Sequence, residues 1–594
     1  MSQASIIPVG IDLGTTFSVI AHLDQQGRPW TLRNAEGDPT TPSVVFFDRT
    51  TPIVGKEAVK AAELEPDRIA ICAKRDIGNS TYSKDIHGLQ MPPEVIESCI
   101  LAKLKQDAQM TLGPIEQVVI TVPAYFNEPR RKATQDAGRL AGLEVIDIIN
   151  EPTAAAIAFG VQRGLISREG EAQATERFLV YDLGGGTFDV TLMEIAGRDF
   201  KTLATAGDVY LGGMDWDQRI VDHLAEQFAA QHGGEDLRQN PAALTRMMKE
   251  AEDAKRSLTA RHDVTIIFAH EGKSIRLPLG RGQFEDMTRD LVERTRFTTR
   301  KVLKDAGLKW GDLTRLLVVG GSTRMPMVQQ MLEEESGRQV DRSLSADEAV
   351  AHGAAIYAGF KLSDKSSAPK STVVGSVTNV NSHDLGVLGV EAATGRPRTS
   401  VIIPRNTPLP VVRKGKFATR REGQPTVVVN VVEGGDASGN NATAIGKFTV
   451  GGLPAGLPAG TPVEVIFKYT ENGRLLVKAS MPSVGREASL TIERASGLTD
   501  DLLQQWQDAL AQGLAIPDDT DVADEPAAEE PMAAEVVEPE ESAEPVAAEA
   551  EVQFNFTDEP KQPGKPTKGS KPAKAPPPAG EDDDALGDFL KGLK

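Results

Sequence analysis

The sequence predicts a multidomain chain: a large two-lobed α/β domain, a β-sandwich behind it, and a disordered acidic tail. Three observations carry this reading. A strand, a glycine turn and a second strand occur twice within residues 1–362, strands of alternating polarity separated by turns fill residues 379–497, and residues beyond 517 turn to Ala, Glu and Pro.

The first element is Phe178–Glu194, FLVYDLGGGTFDVTLME. Apolar Phe178, Leu179 and Val180 lead to Asp182, then come Gly184, Gly185 and Gly186, and Thr187, Phe188, Asp189 and Val190 resume an extended pattern. Without a Cβ in the turn, backbone N–H groups can close on phosphate oxygens, while Asp182 and Asp189 suit a hydrated Mg²⁺. One such match is more often an ordinary hairpin turn. The design recurs in VGIDLGTTFSV (Val9–Val19), where Asp12, Gly14, Thr15, Thr16 and Phe17 repeat the pattern of Asp182, Gly184, Thr187 and Phe188. Two phosphate-gripping hairpins predict two similar lobes facing one nucleotide. A third stretch, LLVVGGSTR (Leu316–Arg324), sends a buried strand into Gly320 and Gly321 and then a helix from Pro326, leaving bare backbone against a nucleoside.

On IDLGTTFSV (Ile11–Val19), AKRDIG (Ala73–Gly78), VPAYFNEPRRKATQDAG (Val122–Gly138), IINEPTAAAIAFG (Ile148–Gly160), DLGGGTFDV (Asp182–Val190) and GGSTRMP (Gly320–Pro326), the chain resembles the actin-like ATPases. Within them it is most similar to the DnaK-type seventy-kilodalton heat-shock chaperones, strongly over about the first three-fifths of the chain and weakly over the next fifth. The resemblance implies an actin-like ATPase domain in residues 1–362, binding ATP or ADP with Mg²⁺, and K⁺ as a further candidate ion.

It also assigns roles. Lys74 and Arg75 would by themselves read as a solvated pair, but Lys74 matches the family lysine that reaches the γ-phosphate and the attacking water. Glu151 matches the glutamate that helps place that water, and it also suits the start of a helix before Pro152. Asp12 and Asp182 would hold Mg²⁺ through waters with Asp189 beside them, and Thr15, Thr16 and Thr187 offer hydroxyls. Glu252, Lys255, Arg256 and Thr259 lie at offsets 0, 3, 4 and 7, one helix face. On spacing alone that is an exposed, salt-bridged face. In the family the matching residues clasp the adenosine, Arg256 on the base and Glu252 and Lys255 on the ribose, with Gly321, Ser322, Arg324 and Asp347 closing the other side. Pro123 and Arg131 match positions that relay nucleotide state outward.

SDKSSAPKS (Ser363–Ser371) reads as an interdomain linker within residues 363–378. Val427, Val429 and Val431 then alternate with Thr426, Val428 and Asn430, and Val463, Val465, Phe467 and Tyr469 with Glu464, Ile466 and Lys468, before an Asn472-Gly473 hairpin turn. This sandwich resembles the family's peptide-binding domain, which implies main-chain hydrogen bonds to an extended peptide and one apolar pocket. Val427 matches a pocket position by its register from Phe417, and Val387 another, beside an insertion EAATGRPR. Thr499 as N-cap, Asp500 and Asp501, and Leu503, Trp506 and Leu510 on one face predict a short helix within residues 498–516. The long helical lid of the family is expected to be missing, so peptide release should be fast. Residues 517–580 are expected to be disordered. In residues 581–594, Leu586, Phe589, Leu590 and Leu593 share one face of a segment that is either partner-docking or frayed.

Net charge is −20, concentrated in residues 518–594, where sixteen acids precede five lysines, five acids and two lysines. No basic patch argues for nucleic acid, and no apolar run approaches the roughly 18 residues of a membrane span. The N-terminus lacks the marks of a leader, and Cys72 and Cys99 are too few for a disulfide framework, so a cytoplasmic setting is expected. An ATP-dependent chaperone acting on unfolded or assembling polypeptides is thus predicted. The alternatives are an actin-like ATPase serving as scaffold, assembly factor or filament, and a small-molecule kinase; a sandwich behind a linker favours the chaperone. A J-domain protein and a nucleotide-exchange factor are the implied helpers. Two departures bear on them: VVGSVTNVNSHD (Val373–Asp384) lacks the family's apolar linker run, and Asp147 stands where the family has an arginine that meets J-domains. Both predict weak coupling or a specialised J-domain partner.

Overall fold

Strand Val9–Asp12 pairs antiparallel with Phe17–Leu23 and parallel with Gln117–Val122, which in turn pairs parallel with Glu144–Asn150. The second lobe repeats this plan. Glu176–Leu183 pairs antiparallel with Phe188–Ala196 and parallel with Arg315–Val319, and Phe188–Ala196 continues into Asp199–Asp208. The structure is a computed structural model, which describes residues 7–165, 175–233, 236–363, 374–391, 394–470, 475–492, 498–514 and 553–554.

Each hairpin strand is a run of buried apolar residues ending in an acid, because its sheet is covered on both faces by helices. Phe178 to Val180 are fully buried, and Asp182 stands opposite Asp189 at the mouth of the hairpin. Helices Glu151–Gln162 and Ala349–Lys361 pack between the lobes with their backbones in contact. A Cβ on Gly353 would overlap the Ala154 carbonyl, and one on Gly10 would overlap the backbone of Ala354 and Ala355. Only glycine permits so close an approach.

The second β-domain forms as expected from its alternating strands. One group comprises Ala442–Val450, Val427–Gly434, Leu385–Glu391 and Pro397–Ile403; the other comprises Val411–Ala418, Pro462–Tyr469, Leu475–Met481 and Arg486–Ile492. Their inward residues, among them Val387, Phe417, Val429, Val465 and Phe467, make one core. The turn at Asn472-Gly473 lies outside the described residues, as do most of SDKSSAPKS and all of residues 581–594.

Three features depart from the sequence expectations. Part of the linker is structured: Ser376–Thr378 adds a parallel edge strand to the second lobe, with Phe200 opposite Val377, and Val374 is buried. The tail is not featureless, because Gln553–Phe554 pairs with Leu385–Glu391 on one side and Val411–Ala418 on the other. The short helix, Asp500–Ala511, does form with the Thr499 hydroxyl accepting from the Leu502 amide at 3.3 Å, but its apolar face packs on the core of the first lobe. Among the described residues no helix is long and apolar enough to cross a membrane.

Candidate nucleotide cleft

The two glycine hairpins face each other at bare-backbone distance. A Cβ on Gly185 would overlap the Thr16 side chain, and one on Gly186 the Thr15 side chain. Carbonyls of the second turn are engaged from behind by a helix N-terminus: Gly213 N–H donates to Gly184 O and Met214 N–H to Gly185 O, both at 2.9 Å. Arg75 completes the brace, donating to Gly186 O at 3.0 Å and pairing with Asp215 at 2.5 Å. Arg75, which by itself reads as one of a solvated pair, is thus a bracing residue, and Gly212-Gly213 was not singled out by sequence reasoning. Their signal was available in LGGMDWD, a glycine pair that opens a helix with an acid in its first turn.

At the floor of the cleft Lys74 is buried and donates to Glu151 Oε1 at 2.6 Å, with its ammonium 5.8 Å from the centre of the Phe126 ring. Glu151 opens the helix Glu151–Gln162 with Pro152 after it, as its reading as a helix-start acid expects. Burial opposes the charge on Lys74, but the carboxylates of Glu151 and Asp12 outweigh it and hold its pKa above the ordinary value. Burial, with Glu151 adding repulsion, pushes Asp12 up to about 7 and Asp189 up to about 8, and raises Asp182 well above the usual carboxylate range.

Asp12 accepts from the Thr121 hydroxyl at 3.2 Å and Asp189 from the Tyr125 amide at 3.0 Å, while Asp189 Oδ2 is buried with no hydrogen-bond partner. Several repelling carboxylates and an orphaned oxygen fit a hydrated divalent cation. Among the described residues no three His, Cys, Asp or Glu side chains could hold a metal between them. Binding through water, with Asp12 and Asp182 as acceptors, is what this donor set suits.

A stability consequence follows. Carboxyls with pKa values raised on folding contribute stability below their unfolded values near 4, and that contribution is lost as pH rises through the folded values of about 7 and 8. From these groups alone, the nucleotide-free protein should therefore melt progressively lower between about pH 4 and pH 8, and Mg²⁺ with nucleotide should flatten the slope. A thermal midpoint rising with pH in the metal-free protein would contradict this.

On the nucleoside side the structure brings together most of the assigned residues. Lys255 pairs with Asp217 at 2.6 Å and donates to Gly213 O at 2.9 Å, and Ser322 Oγ donates to Gly184 O at 2.9 Å. Arg256 stands 5.6 Å from the Phe17 ring centre and pairs with Glu252 at 2.6 Å. Arg324 pairs with Asp347 at 2.6 Å beside Gly321. The Arg256–Glu252 and Arg324–Asp347 pairs are largely exposed, so they contribute little to stability by themselves and are available to a ligand. Thr259 turns its hydroxyl back to Lys255 O at 3.2 Å, inside its own helix. Asp217, which positions Lys255, was missed because it lies 38 residues away in sequence.

Pro123 and Arg131 lie where the two-lobed domain meets the sandwich. Arg131 donates to Asn150 Oδ1 at 2.6 Å, to Phe126 O at 3.2 Å and to Ala124 O at 3.4 Å, and Pro123 O accepts from the Phe126 amide. Across the boundary Ser382 Oγ donates to the same Phe126 O at 3.4 Å, the Glu128 amide donates to Glu433 at 3.1 Å, and Arg405 pairs with Asp305 at 3.1 Å. Val387 and Val427 are fully buried within the sandwich core.

Asp147 requires a correction. It is 7% exposed, accepting from Tyr357 Oη at 2.9 Å and paired with Lys361 at 2.8 Å. So placed, the buried carboxylate is paired with the partly exposed Lys361 and does not present a repelling charge to a J-domain. An arginine there would meet Lys361 without a counterion.

The sequence model of the family described as Hsp70 protein matches residues 8–88 and 81–574 of the chain. That match runs from the first hairpin through the sandwich and past the tail strand.

Proposed function

The chain belongs to the Hsp70 family and is a chaperone-type, nucleotide-binding ATPase, and from that premise we propose that Mg²⁺-dependent ATP hydrolysis in its cleft controls binding of extended, unfolded polypeptide by its sandwich. One observation carries the coupling: an unbroken chain of contacts leads from the cleft to the sandwich. Lys74 bonds Glu151, the neighbouring Asn150 accepts from Arg131, Arg131 holds the Phe126 carbonyl, and Ser382 of the sandwich donates to that carbonyl. A shift of the Lys74–Glu151 pair on loss of the γ-phosphate thereby displaces a backbone group on which the sandwich rests.

In this reading Lys74 supplies positive charge to the phosphoryl group as it leaves, Glu151 accepts a hydrogen bond from the attacking water, and the Thr15, Thr16 and Thr187 hydroxyls with the glycine turns hold the phosphates. Mg²⁺, when bound, would neutralise phosphate charge against Asp12 and Asp182. Arg256 and Phe17 take the base, Glu252 and Lys255 the ribose. Clients, J-domain proteins and exchange factors are the partner classes of the family, and the match through the sandwich does not favour a scaffold alone. The test is ATP turnover with and without extended apolar peptides. Stimulation of several-fold that saturates with peptide is expected; turnover indifferent to every peptide tried would refute the coupling.

A further inference from the structure

Lys74 and Arg75 are neighbours in one short turn, Ala73–Arg75, yet they serve different partners. Lys74 bonds Glu151 on the floor of the cleft, whereas Arg75 reaches into the second lobe with every edge of its guanidinium. Its Nε donates to Gly186 O at 3.0 Å, Nη1 to Asp215 Oδ1 at 3.3 Å and Nη2 to Asp215 Oδ2 at 2.5 Å. Asp215 Oδ2 also accepts from the Gly212 amide at 2.7 Å, which fixes the start of the helix Gly213–His232 behind the glycine turn. A second arginine backs the first. Arg130, itself buried, donates to the Arg75 carbonyl at 3.1 Å and to Tyr210 Oη at 3.0 Å, so it too joins the first lobe to the second.

This bridge is shielded from solvent. The Arg75 and Asp215 side chains are 18% and 26% exposed, against 61% and 39% for Lys249–Glu63, a pair at 3.4 Å that also crosses from lobe to lobe. The exposed pair is of the kind that contributes little, while the shielded one is bidentate and charge-assisted. Its third bond carries the most information. Because the Gly186 carbonyl accepts from Arg75, the turn of the second hairpin is tied to the segment that carries Lys74, and the lobes cannot part there without breaking all three bonds together.

We propose that Arg75 is a positioning residue of the ATPase: through Gly186 O and Asp215 it holds the two lobes shut over the phosphates and sets how long a nucleotide stays bound. This rests on the reading that the glycine turns hold the phosphates. A division of labour between neighbours follows. Lys74 acts on the charge that develops during hydrolysis, and Arg75 acts on residence time, through bonds that exist only while the lobes are closed. The nucleoside is a different case. Glu252, Lys255, Arg256, Ser322, Arg324 and Asp347 all belong to the second lobe, so a nucleoside without phosphates needs little from a bridge between lobes.

The experiment titrates Mg-ADP and adenosine into the full chain and into its Arg75→Gln, Arg75→Lys and Asp215→Asn variants, and follows release of a fluorescent ADP analogue after a chase of unlabelled ADP. Arg75→Gln should speed release and weaken Mg-ADP about ten- to a hundredfold, the range for hydrogen bonds to charged groups, with adenosine within about twofold of the parent. Arg75→Lys should fall between, since a point charge cannot make the fork and the third bond at once. Asp215→Asn keeps an acceptor for the Gly212 amide and should speed release about tenfold. Adding it to Arg75→Gln should change release by no more than about twofold, because both remove one bridge. Release within about threefold of the parent in both single variants, effects that multiply in the double variant, or adenosine weakened as much as Mg-ADP would overturn the proposal. Gly186→Ala, whose Cβ would overlap the Thr15 side chain, tests the underlying reading. If it keeps the parental preference for Mg-ADP over adenosine, the turn does not hold phosphate and both readings fall; if it loses that preference while Arg75→Gln keeps it, the phosphate reading stands and the bridge alone is refuted.

Discussion

Lys74→Ala lowers ATP turnover about 10²- to 10³-fold while nucleotide affinity stays within a few-fold. The asymmetry follows from where each interaction is made. On the proposed reading, backbone of the two glycine turns grips the phosphates in ground state and transition state alike, and the variant leaves it intact. A buried ammonium 2.6 Å from Glu151 faces the charge that develops as the terminal phosphate leaves, and its removal costs only the second state. Removal also strands Glu151 among Asp12, Asp182 and Asp189, so the variant should be less stable by several kcal/mol, as when one partner of a buried pair is lost. The double variant Lys74→Ala, Glu151→Ala separates the two effects: its melting temperature should recover and its turnover should not. Turnover within tenfold of the parent for Lys74→Ala would refute the assignment.

Val374→Asp together with Val377→Asp abolishes peptide stimulation and leaves basal turnover within about threefold. Val374 is buried, and Val377 lies opposite Phe200 in the strand that joins the linker to the second lobe. Two unpaired carboxylates there cost several kcal/mol in the docked arrangement and nothing in the released one, more than a three-residue strand returns. Neither residue touches the cleft, which is why basal hydrolysis survives. The measurement is ATP turnover against peptide concentration in both chains, and stimulation persisting at half its parental value or more would show that coupling does not run through this strand.

The hairpins, the sandwich strands and the Thr499 cap were legible because their signals are local: glycines at a turn, alternation along a strand, an N-cap before acids. The residues that gather around the cleft were named through the motifs that carry the resemblance. What the sequence did not disclose depends on partners far along the chain. Asp147 reads as an exposed reversal of charge until Tyr357 and Lys361, more than two hundred residues later, enclose it. Ser376–Thr378 has too few apolar residues to announce a strand, and it forms because the edge of Asp199–Asp208 has backbone groups to satisfy. Gln553–Phe554 is a two-residue strand in a polar tail, invisible to any window average and defined by the edges on either side. The helix Asp500–Ala511 lies between these cases, since its apolar face was plain and the first-lobe surface beneath it was not.

That helix and the linker strand together close a loop. The sandwich segment leaves the second lobe at Ser376–Thr378 and comes to rest on the first lobe at Asp500–Ala511, where Gln507 donates to the Arg139 carbonyl at 3.1 Å. The two lobes are therefore joined to each other by the domain that follows them, as the arms of a caliper are by a band. Any rotation that widens the cleft must stretch the band, slip one of its anchors or break it, and once one anchor is lost the chain-entropy cost of regaining it opposes reclosure. On the proposed reading, nucleotide exit and release of the sandwich would share one mechanical coordinate.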